Sequence, residues 1–435
     1  MDKQKRSLFL ALNRLKIFRS LNEKEFAWVL YDVGNSAFTM LACALIPIWF
    51  KSLAIGTAPG QISSDNATAY YSLAISIVTI VVALLGPIIG AIADYKDMKK
   101  VCFTTAVALG VAGCVLNGFA AGWVFFIVLF ILTKIFYSIS LIYYDSMLHD
   151  ITTEDRMDVV SSFGFAWGYA GSCIPFLLAL IAYVLGPDMA GIISNRLSMI
   201  IGFVVTAVWW LIVTLPLLKN YKQSYYVERK PHAIRSAFAS IFATLKKIAL
   251  KDKKVFFFLL AFFMYIDGVG TIIDNCINIG TDLNLSTVGQ VITLLATQVV
   301  ACAGSLVFAR LSKKHSTVNL ILACIVGYFA VCLYALTLRS LVGFAILAFG
   351  VGCFQGSIQS LSRSYFSKII PPENSGEYFG LYDIFAKGAS FLGSAVIAWV
   401  KLAGGTINVA VATLAVFFMA GFVLLKIADK KPLSR

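Results

Sequence analysis

The feature that most constrains this chain is a series of twelve apolar stretches, each long enough to cross a lipid bilayer as a helix. Apolar residues make up 59% of the 435 residues and charged residues 13%, against roughly 45–50% and 25% in soluble domains. This composition excludes a disordered chain, a secreted disulfide scaffold and an ordinary cytosolic enzyme, and predicts an all-α polytopic membrane protein. A spanning helix needs about 20 apolar residues, and the stretches that qualify are 26–50, 68–93, 101–121, 123–147, 159–186, 197–218, 255–280, 287–310, 317–338, 341–362, 377–401 and 406–427.

The stretches, numbered spans 1 to 12, form two groups of six around a basic segment. We predict an N-terminal six-helix bundle at 1–218, which starts with a basic amphipathic segment, and a C-terminal bundle at 255–435. The linker between them, 219–254, carries apolar residues at helical spacing opposite lysines. That pattern is typical of a helix lying in the membrane interface.

Short motifs recur in the two groups, which suggests a duplicated unit. Phe163-Gly164 opens span 5 and Phe379-Gly380 opens span 11, while Tyr31-Asp32 in span 1 is echoed by Tyr265 and Asp267 in span 7. We therefore predict two pseudo-symmetric bundles related like the parallel halves of a transporter.

The placement of Lys and Arg predicts the orientation. If the N-terminus is cytoplasmic, 30 of the 36 basic residues fall in cytoplasmic segments and four fall outside. Basic residues concentrate on the cytoplasmic side of membrane proteins, so both termini and the linker are predicted to be cytoplasmic. The loop between spans 4 and 5 is exceptional because it is acidic. The net charge of +14 is thus explained by the membrane surface and not by nucleic acid.

Charged and polar residues inside spans are costly and mark function or pairing. Asp383 and Lys387 have the i, i+4 spacing of an ion pair, and Arg363 could also lie at the membrane edge. The residues that we predict to bind substrate or to couple transport to an ion are Asp32, Asn35, Lys134, Tyr144, Asp145, Asp267, Asp274, Gln355, Gln359 and Arg363.

Energy coupling is predicted to use carboxylates. The three histidines all lie in predicted cytoplasmic segments, so we take Asp267, with help from Asp32 and Lys134 as counter-charge, as the proton or cation site. No Gly-Lys dipeptide occurs, which excludes a Walker-type phosphate loop. No Cys/His cluster has metal-ligand spacing, and we expect no cofactor, no bound metal and no enzymatic activity.

Small residues and one loop predict how the helices move. Glycine pairs such as Gly86/Gly90 and Gly376/Gly380 allow close helix contact in lipid. Gly90-Ala-Ile-Ala-Asp94 after span 2, followed by Lys96, Lys99 and Lys100, resembles the loop 2–3 motif of the major facilitator superfamily. In that superfamily, the motif latches the cytoplasmic helix ends together. The equivalent loop 8–9 has Ser312 where an acid would stand, so a weaker latch is expected there.

Longer stretches are similar to one family within that superfamily, the autophagy-related vacuolar amino-acid effluxers and their bacterial "unknown major facilitator" relatives. Asp145, His149 and Gly393-Ser394 depart from the family's usual Asn, Pro and Gly-Pro, and Gly-Tyr-Leu-Gly-Gly becomes Gly-Tyr-Ala-Gly-Ser. These changes concern gating and substrate, not the fold. The similar stretches are Trp28-Val-Leu-Tyr-Asp-Val-Gly-Asn-Ser-Ala-Phe38, Tyr143–Leu148, Ser162–Gly171, Leu260–Ile272 and the run from Gln355 through Ser362-Arg-Ser364 to Glu377–Tyr382.

The resemblance implies secondary transport, with amino-acid export as the activity of fungal members. We expect a monomeric transporter of a small polar or zwitterionic solute, proton- or cation-coupled, in a bacterial cytoplasmic membrane. Lys134 would suit the carboxylate of a zwitterion and Asp267 its ammonium group. A cation-coupled sugar or organic-ion porter is the alternative within transport, and a non-transporting membrane sensor or assembly factor is the alternative from another class.

Overall fold

A computed structural model describes residues 21–56, 60–186, 190–228, 233–276, 279–280, 283, 285–388 and 391–433. Apart from two single β-bridges, the regular structure of these residues is helical, which confirms the all-α prediction. Eleven helices are long and apolar enough to cross a membrane, and the bent pair that opens the described chain makes a twelfth span. The basic segment 1–20 lies outside the described residues.

The first six spans follow the predicted stretches closely. Span 1 begins three residues earlier than predicted, because Asn22 and Glu25 form a capping box in which each side chain bonds the other residue's backbone N–H at 2.9 Å. It bends by 43° at Leu45, just before Pro47, where a ring without an N–H interrupts the helix. The spans are Glu23–Ala44 with Ile46–Ala54, Ser64–Ala93, Met98–Gly118, Trp123–Ser146, Met157–Val184 and Asn195–Asn220.

The last six spans follow a linker helix at Ala233–Leu250. Span 10 was predicted to end at 362, yet its helix continues to Ile369. The extension was missed because it contains polar residues, and the side chains of Arg363, Ser364 and Lys368 bond to the other half of the molecule instead of facing lipid. The spans are Lys253–Asp274, Thr287–Leu311, Thr317–Tyr334, Leu341–Ile369, Ser375–Gly388 with Phe391–Leu402, and Ile407–Thr413 with Ala415–Asp429.

Each group of six spans has its own apolar core. One core draws almost entirely on residues between Leu21 and Tyr221, and the other almost entirely on residues between Ile248 and Ala428. Large apolar side chains remain exposed on the outer surface, among them Leu84, Val342 and Leu402 at 68%, 70% and 85%. In a polytopic protein such residues face the lipid chains, so their exposure carries no penalty.

The pseudo-symmetry of the halves is visible in one repeated hydrogen bond. The Tyr31 hydroxyl in span 1 contacts the Ser140 hydroxyl in span 4 at 2.6 Å. The Tyr265 hydroxyl in span 7 contacts the Ser362 hydroxyl in span 10, also at 2.6 Å. The first and fourth spans of each half are therefore held in the same register by the same pair of residue types.

The linker defines one end of the molecule, which we call the linker side. Its first residues bond to the loop between spans 2 and 3, where the Val227 N–H donates to the Asp94 carbonyl at 2.8 Å. The linker helix packs Ile248 into the C-terminal core and leaves Phe242 73% exposed. This distribution agrees with one protein-facing and one outward-facing side.

Candidate functional site

A central cavity of about 360 Å³ lies between the two halves. Four of the predicted site residues border it, namely Asp145 from the N-terminal half and Asp274, Gln359 and Arg363 from the C-terminal half. The volume falls in the lower part of the roughly 300–1,000 Å³ range of small-molecule pockets. The other lining residues are mainly apolar and aromatic: Leu141, Ile142, Phe165, Phe262, Ile266, Val269, Gly270, Ile273, Phe379, Tyr382, Asp383 and Ala386.

Arg363 closes the cavity on the linker side by crossing from span 10 into the N-terminal half. Its Nη2 donates to Asp32 Oδ2 at 3.1 Å and its Nη1 donates to Asp145 Oδ1 at 3.0 Å. Its Nε donates to the Ser161 hydroxyl at 2.9 Å, and Nη2 also donates to the Ser161 carbonyl at 3.1 Å. The side chain is 5% exposed. A buried guanidinium whose three nitrogens all donate, to two carboxylates and to Ser161, is a stable plug.

Aromatic rings complete the surroundings of this guanidinium. Its Cζ lies 4.6 Å from the Trp28 ring centre, 4.6 Å from the Phe165 ring centre and 5.4 Å from the Tyr144 ring centre. Cation–π contacts of this kind strengthen when water is excluded. Of these rings, the sequence analysis named only Tyr144 as a site residue.

Gly164 makes room for the ion pair. A Cβ at this position would lie 2.3 Å from Asp32 Oδ2 and 3.1 Å from Arg363 Nη2. The sequence analysis noted Phe163-Gly164 as a repeated motif, and the structure shows that its glycine is required by the charges it adjoins. Asn35 adds a donor to the same carboxylate, with its Nδ2 3.3 Å from Asp32 Oδ1.

A second set of contacts between the halves lies nearer the linker side. Asp158 accepts hydrogen bonds from Ser364 at 2.5 Å, from Lys368 at 2.7 Å and from Thr317 at 2.7 Å. The Ser161 hydroxyl donates to the Ser360 carbonyl at 2.7 Å. Sequence reasoning did not select these residues. The signal that could have found them is the acidic loop between spans 4 and 5, whose Asp158 needs a cation.

The outermost contacts use the predicted gating loop. Asp94 accepts from the backbone N–H of Gly376 at 2.8 Å and of Glu377 at 2.9 Å, at the start of the span 11 helix. Burial raises the pKa of Asp94 to about 6, although Lys99 at 3.5 Å and the two N–H donors oppose the shift. The Lys99 ammonium donates to the Ser375 hydroxyl at 2.8 Å. Lys100 is only partly buried and takes no part in this cluster.

The glycine pairs of spans 2 and 11 pack against each other. A Cβ at Gly90 would lie 2.1 Å from the Gly376 carbonyl oxygen, and a Cβ at Gly380 would lie 2.5 Å from the Gly86 carbonyl oxygen. The two backbones therefore touch over one helical turn, so the position of span 11 against span 2 requires these glycines.

His149 joins the same end of the halves. Its Nε2 lies 2.7 Å from the Ser367 carbonyl oxygen in span 10. Burial lowers the pKa of His149 to about 4, so the neutral ring donates from Nε2. We name the residues of these inter-half contacts the linker-side gate: Asp32, Asp94, Lys99, Asp145, His149, Asp158, Ser161, Thr317, Ser360, Arg363, Ser364, Ser367, Lys368, Ser375, Gly376 and Glu377.

The remaining predicted residues lie around the cavity at different depths. Lys134 is half-buried, and its ammonium lies 5.8 Å from the centre of the Phe130 ring. Asp383 and Lys387 form the i, i+4 ion pair that their spacing suggested. Gln355 is half-buried in span 10. Asp274 and Asp383, the latter paired with Lys387, thus add acidic groups to the cavity wall.

Asp267, predicted as the coupling site, is not among the described residues that line the cavity. It is fully buried, and its Oδ2 accepts the Gly393 N–H at 2.8 Å inside the C-terminal half. Among the ion pairs of the described residues, none joins it to Lys134. The repeated Tyr–Ser bond aligns Tyr31 with Tyr265 and hence Asp32 with Ile266, so Asp267 is not the counterpart of Asp32. Asp267 is one residue further on, which turns its side chain by about 100° around the helix.

The fold and the charged cavity between two six-helix halves define a transporter of the major facilitator superfamily. Solved structures support the fold. FucP in its outward conformation superposes with a TM-score of 0.72 at 14% identity, covering 94% of this chain and 99% of that chain. The proton:xylose symporter XylE superposes with a TM-score of 0.70 at 12% identity, covering 93% and 94%.

Sequence comparison gives the family. The family model described as "Vacuole effluxer Atg22 like" matches residues 149–432, and the chain belongs to this family. It is 37% identical to the "Uncharacterized MFS-type transporter YxiO" of Bacillus subtilis over 412 residues, which cover 94% of this chain and 95% of that protein. It is also 27% identical to Autophagy-related protein 22-1 of Sclerotinia sclerotiorum, over 62% of this chain and 50% of the fungal protein.

Proposed function

We propose that this protein is a secondary transporter that moves a small polar or zwitterionic solute by alternating access, coupled to protons or another cation. The observation that carries the proposal is the central cavity, which has charged walls from both halves and is sealed on one side by Arg363. Alternating access requires that one side of the cavity be closed by contacts that can break, and ion pairs between the halves are contacts of this kind. The description of the family as vacuole effluxers agrees with solute export.

The orientation belongs to the same proposal. We place the linker side in the cytoplasm, because the linker and the loops near it carry most of the basic residues. The described structure is then closed toward the cytoplasm. A cysteine placed at exposed Glu154 should react with an impermeant maleimide only after the cells are opened, and one placed at exposed Arg339 should react in intact cells. The reverse result would overturn this orientation.

Coupling is assigned to the acids of the cavity. Asp274 borders the cavity and interacts electrostatically with Lys134, whereas Asp267 is used inside its own half. Alternating access would expose Asp274 to one side at a time, and a carboxylate whose distance from a cation such as Lys134 changes can bind and release a proton. Asp274 therefore takes the role that the sequence interpretation gave to Asp267.

The experiment is solute uptake into vesicles that contain the purified full chain. Labelled amino acids, sugars and organic ions are offered with and without an imposed pH or sodium gradient. Asp274→Asn should keep exchange of the transported solute but lose its accumulation, because an amide cannot titrate. Asp267→Asn is the matched control: its amide oxygen can still accept the Gly393 N–H, so accumulation should persist.

The two variants separate the possible outcomes. Loss of accumulation in Asp267→Asn, with accumulation intact in Asp274→Asn, would return coupling to the buried residue. Uptake of no solute by the wild-type protein would refute transport itself. A sugar carried with its gradient would favour the sugar porter over the amino-acid transporter, since the cavity volume suits either class.

A further inference from the structure

The guanidinium of Arg363 occupies a cation site that belongs entirely to the other half. We define the cation cradle by the residues that surround it: Trp28, Asp32, Tyr144, Asp145, Ser161 and Phe165. They come from spans 1, 4 and 5, and they supply three rings, two carboxylates and two serine oxygens. Carboxylates within an aromatic enclosure bind ammonium and guanidinium groups of ligands well. Arg363 therefore fills the cradle as a tethered ligand would.

The cradle is held together by contacts within its own half. The Trp28 indole N–H donates to the Tyr144 carbonyl at 3.0 Å, and the two rings stack with centres 4.3 Å apart. Asn35 donates to Asp32. None of these contacts involves the C-terminal half, so they can persist when the halves separate. The site is then preorganised for a new occupant.

Separation of the halves would leave the carboxylates of this site without a counter-charge. If Arg363 leaves with span 10, Asp32 and Asp145 become two neighbouring carboxylates without a cation, one within span 1 and the other at the linker-side end of span 4. Charges in that position require a counter-charge. Water can compensate in part, but a solute cation fits the cradle's rings and acids together.

We infer that the cation cradle is the binding site for an ammonium or guanidinium group of the transported solute, and that Arg363 competes with the solute for it. The inference rests on the proposed alternating access. A cationic solute would enter from the linker side when Arg363 is withdrawn. The return of Arg363 would close the gate and displace the solute into the central cavity, which Asp145 also borders. The gate and the substrate site would thus share Asp32, Asp145 and Ser161.

Emptying the cradle tests the competition directly. Arg363→Gln removes the tethered cation and keeps a hydrogen-bonding side chain. A tethered competitor acts at an effective concentration of about millimolar or above, so its loss should raise the affinity for agmatine and L-arginine by about tenfold or more. Binding is measured by titration calorimetry on the purified full chain in lipid nanodiscs, with D-glucose as the uncharged probe.

Two further variants separate competition from mere loosening of the gate. Lys368→Gln removes another gate cation, the partner of Asp158 at 2.7 Å, but leaves Arg363 in the cradle, so its effect on agmatine affinity should be clearly smaller. Adding Asp145→Asn to Arg363→Gln should abolish the gain. An equal gain in Lys368→Gln, or a gain that survives Asp145→Asn, would overturn the inference.

A measurement on a protein that keeps Arg363 covers the case in which Arg363→Gln does not fold. Ser360 is fully buried at the gate, so a cysteine at this position reports opening by its reaction with a maleimide. Agmatine should increase that reaction with saturation, and D-glucose should not. No increase with agmatine or L-arginine would overturn the inference.

The result is distinguishable from failure of the proposed function. If the vesicles carry an uncharged solute while agmatine and L-arginine neither bind nor open the gate, the cradle inference falls and transport stands. If no solute is carried but cations bind the cradle and open the gate, transport falls and the cradle remains supported as a cation site.

Discussion

Replacing Gly90 with alanine should open the linker-side gate. In the closed structure, a Cβ at Gly90 would lie 2.1 Å from the Gly376 carbonyl oxygen, 2.6 Å from its carbonyl carbon and 3.1 Å from the Glu377 nitrogen. All three atoms are backbone, so no side chain can rotate away to relieve the contact. Spans 2 and 11 would have to separate, and the Asp94 hydrogen bonds to Gly376 and Glu377 would separate with them.

The size of the effect follows from this geometry. Overpacking at a tight backbone contact costs typically 1–3 kcal/mol, and each 1.4 kcal/mol is a factor of ten in an equilibrium. The clash exists only in the closed state, because the two helices are apart when the gate is open. The closed-to-open ratio should therefore fall by about 5- to 150-fold.

The assay compares two glycine variants by labelling of Ser360→Cys in a cysteine-depleted background. Ser360 is fully buried between the halves in the closed gate. Gly90→Ala should speed maleimide labelling by the same 5- to 150-fold, provided that the gate is mostly closed at the start. Gly122→Ala is the control, because a Cβ there meets nothing within 4 Å. Unchanged labelling in a folded Gly90→Ala protein would refute the assignment of this helix contact to the gate.

Three further predictions address charge and polarity. From pH 7 to 5, protonation of Asp94 favours the closed gate about tenfold, because its pKa is about 6 when closed and 3.8 ordinarily. Protonation of His149 favours the open gate about twentyfold, because its pKa is about 4 when closed and 6.5 ordinarily. Spin-label distances across the linker side should hence change little in the wild type. On acidification they should shorten in His149→Asn and lengthen in Asp94→Asn. Identical responses in all three proteins would contradict this. Gln359→Leu removes a polar group from the cavity and should weaken solute binding by about 2- to 12-fold without lowering the melting temperature. Arg363→Leu should destabilise the closed gate by about 3–5 kcal/mol, because it leaves buried carboxylates unpaired, and adding Asp32→Leu should restore part of that closure in the labelling assay.

The fold was predictable from the sequence because its two signals are local. Apolar length fixes where a chain crosses a membrane, and the recurrence of Phe-Gly and Tyr motifs indicates duplication. The errors arose where polar residues continue a helix. Span 10 continues beyond its apolar run through Arg363 to Ile369, because its polar side chains find partners on spans 1, 4 and 5. Hydropathy cannot report a partner that lies about 200 residues away in the chain.

The site was predictable in part for the same reason. A charged residue is conspicuous within an apolar span, so the sequence analysis selected Asp32, Asp145 and Arg363. Their grouping was not, since it depends on which helix faces which across the interface. Trp28 and Phe165 look like ordinary core aromatics in sequence and gain meaning only from the guanidinium between them.

The duplication explains why the plug and its cradle stand opposite each other. The Tyr31–Ser140 and Tyr265–Ser362 bonds make the residues that follow each partner equivalent: Asp32 matches Ile266, and Leu141 matches Arg363. One pair of positions, where the first span of one half faces the fourth span of the other, carries an acid and a guanidinium. The symmetry-related pair, Ile266 and Leu141, is apolar and lines the cavity. A symmetric framework has thus acquired opposite charges across one contact only, so that the two halves attract each other on one side of the pseudo-symmetry axis. A cationic solute needs only one such contact to compete with, and the apolar pair leaves the other side of the cavity free to accommodate the uncharged part of the molecule.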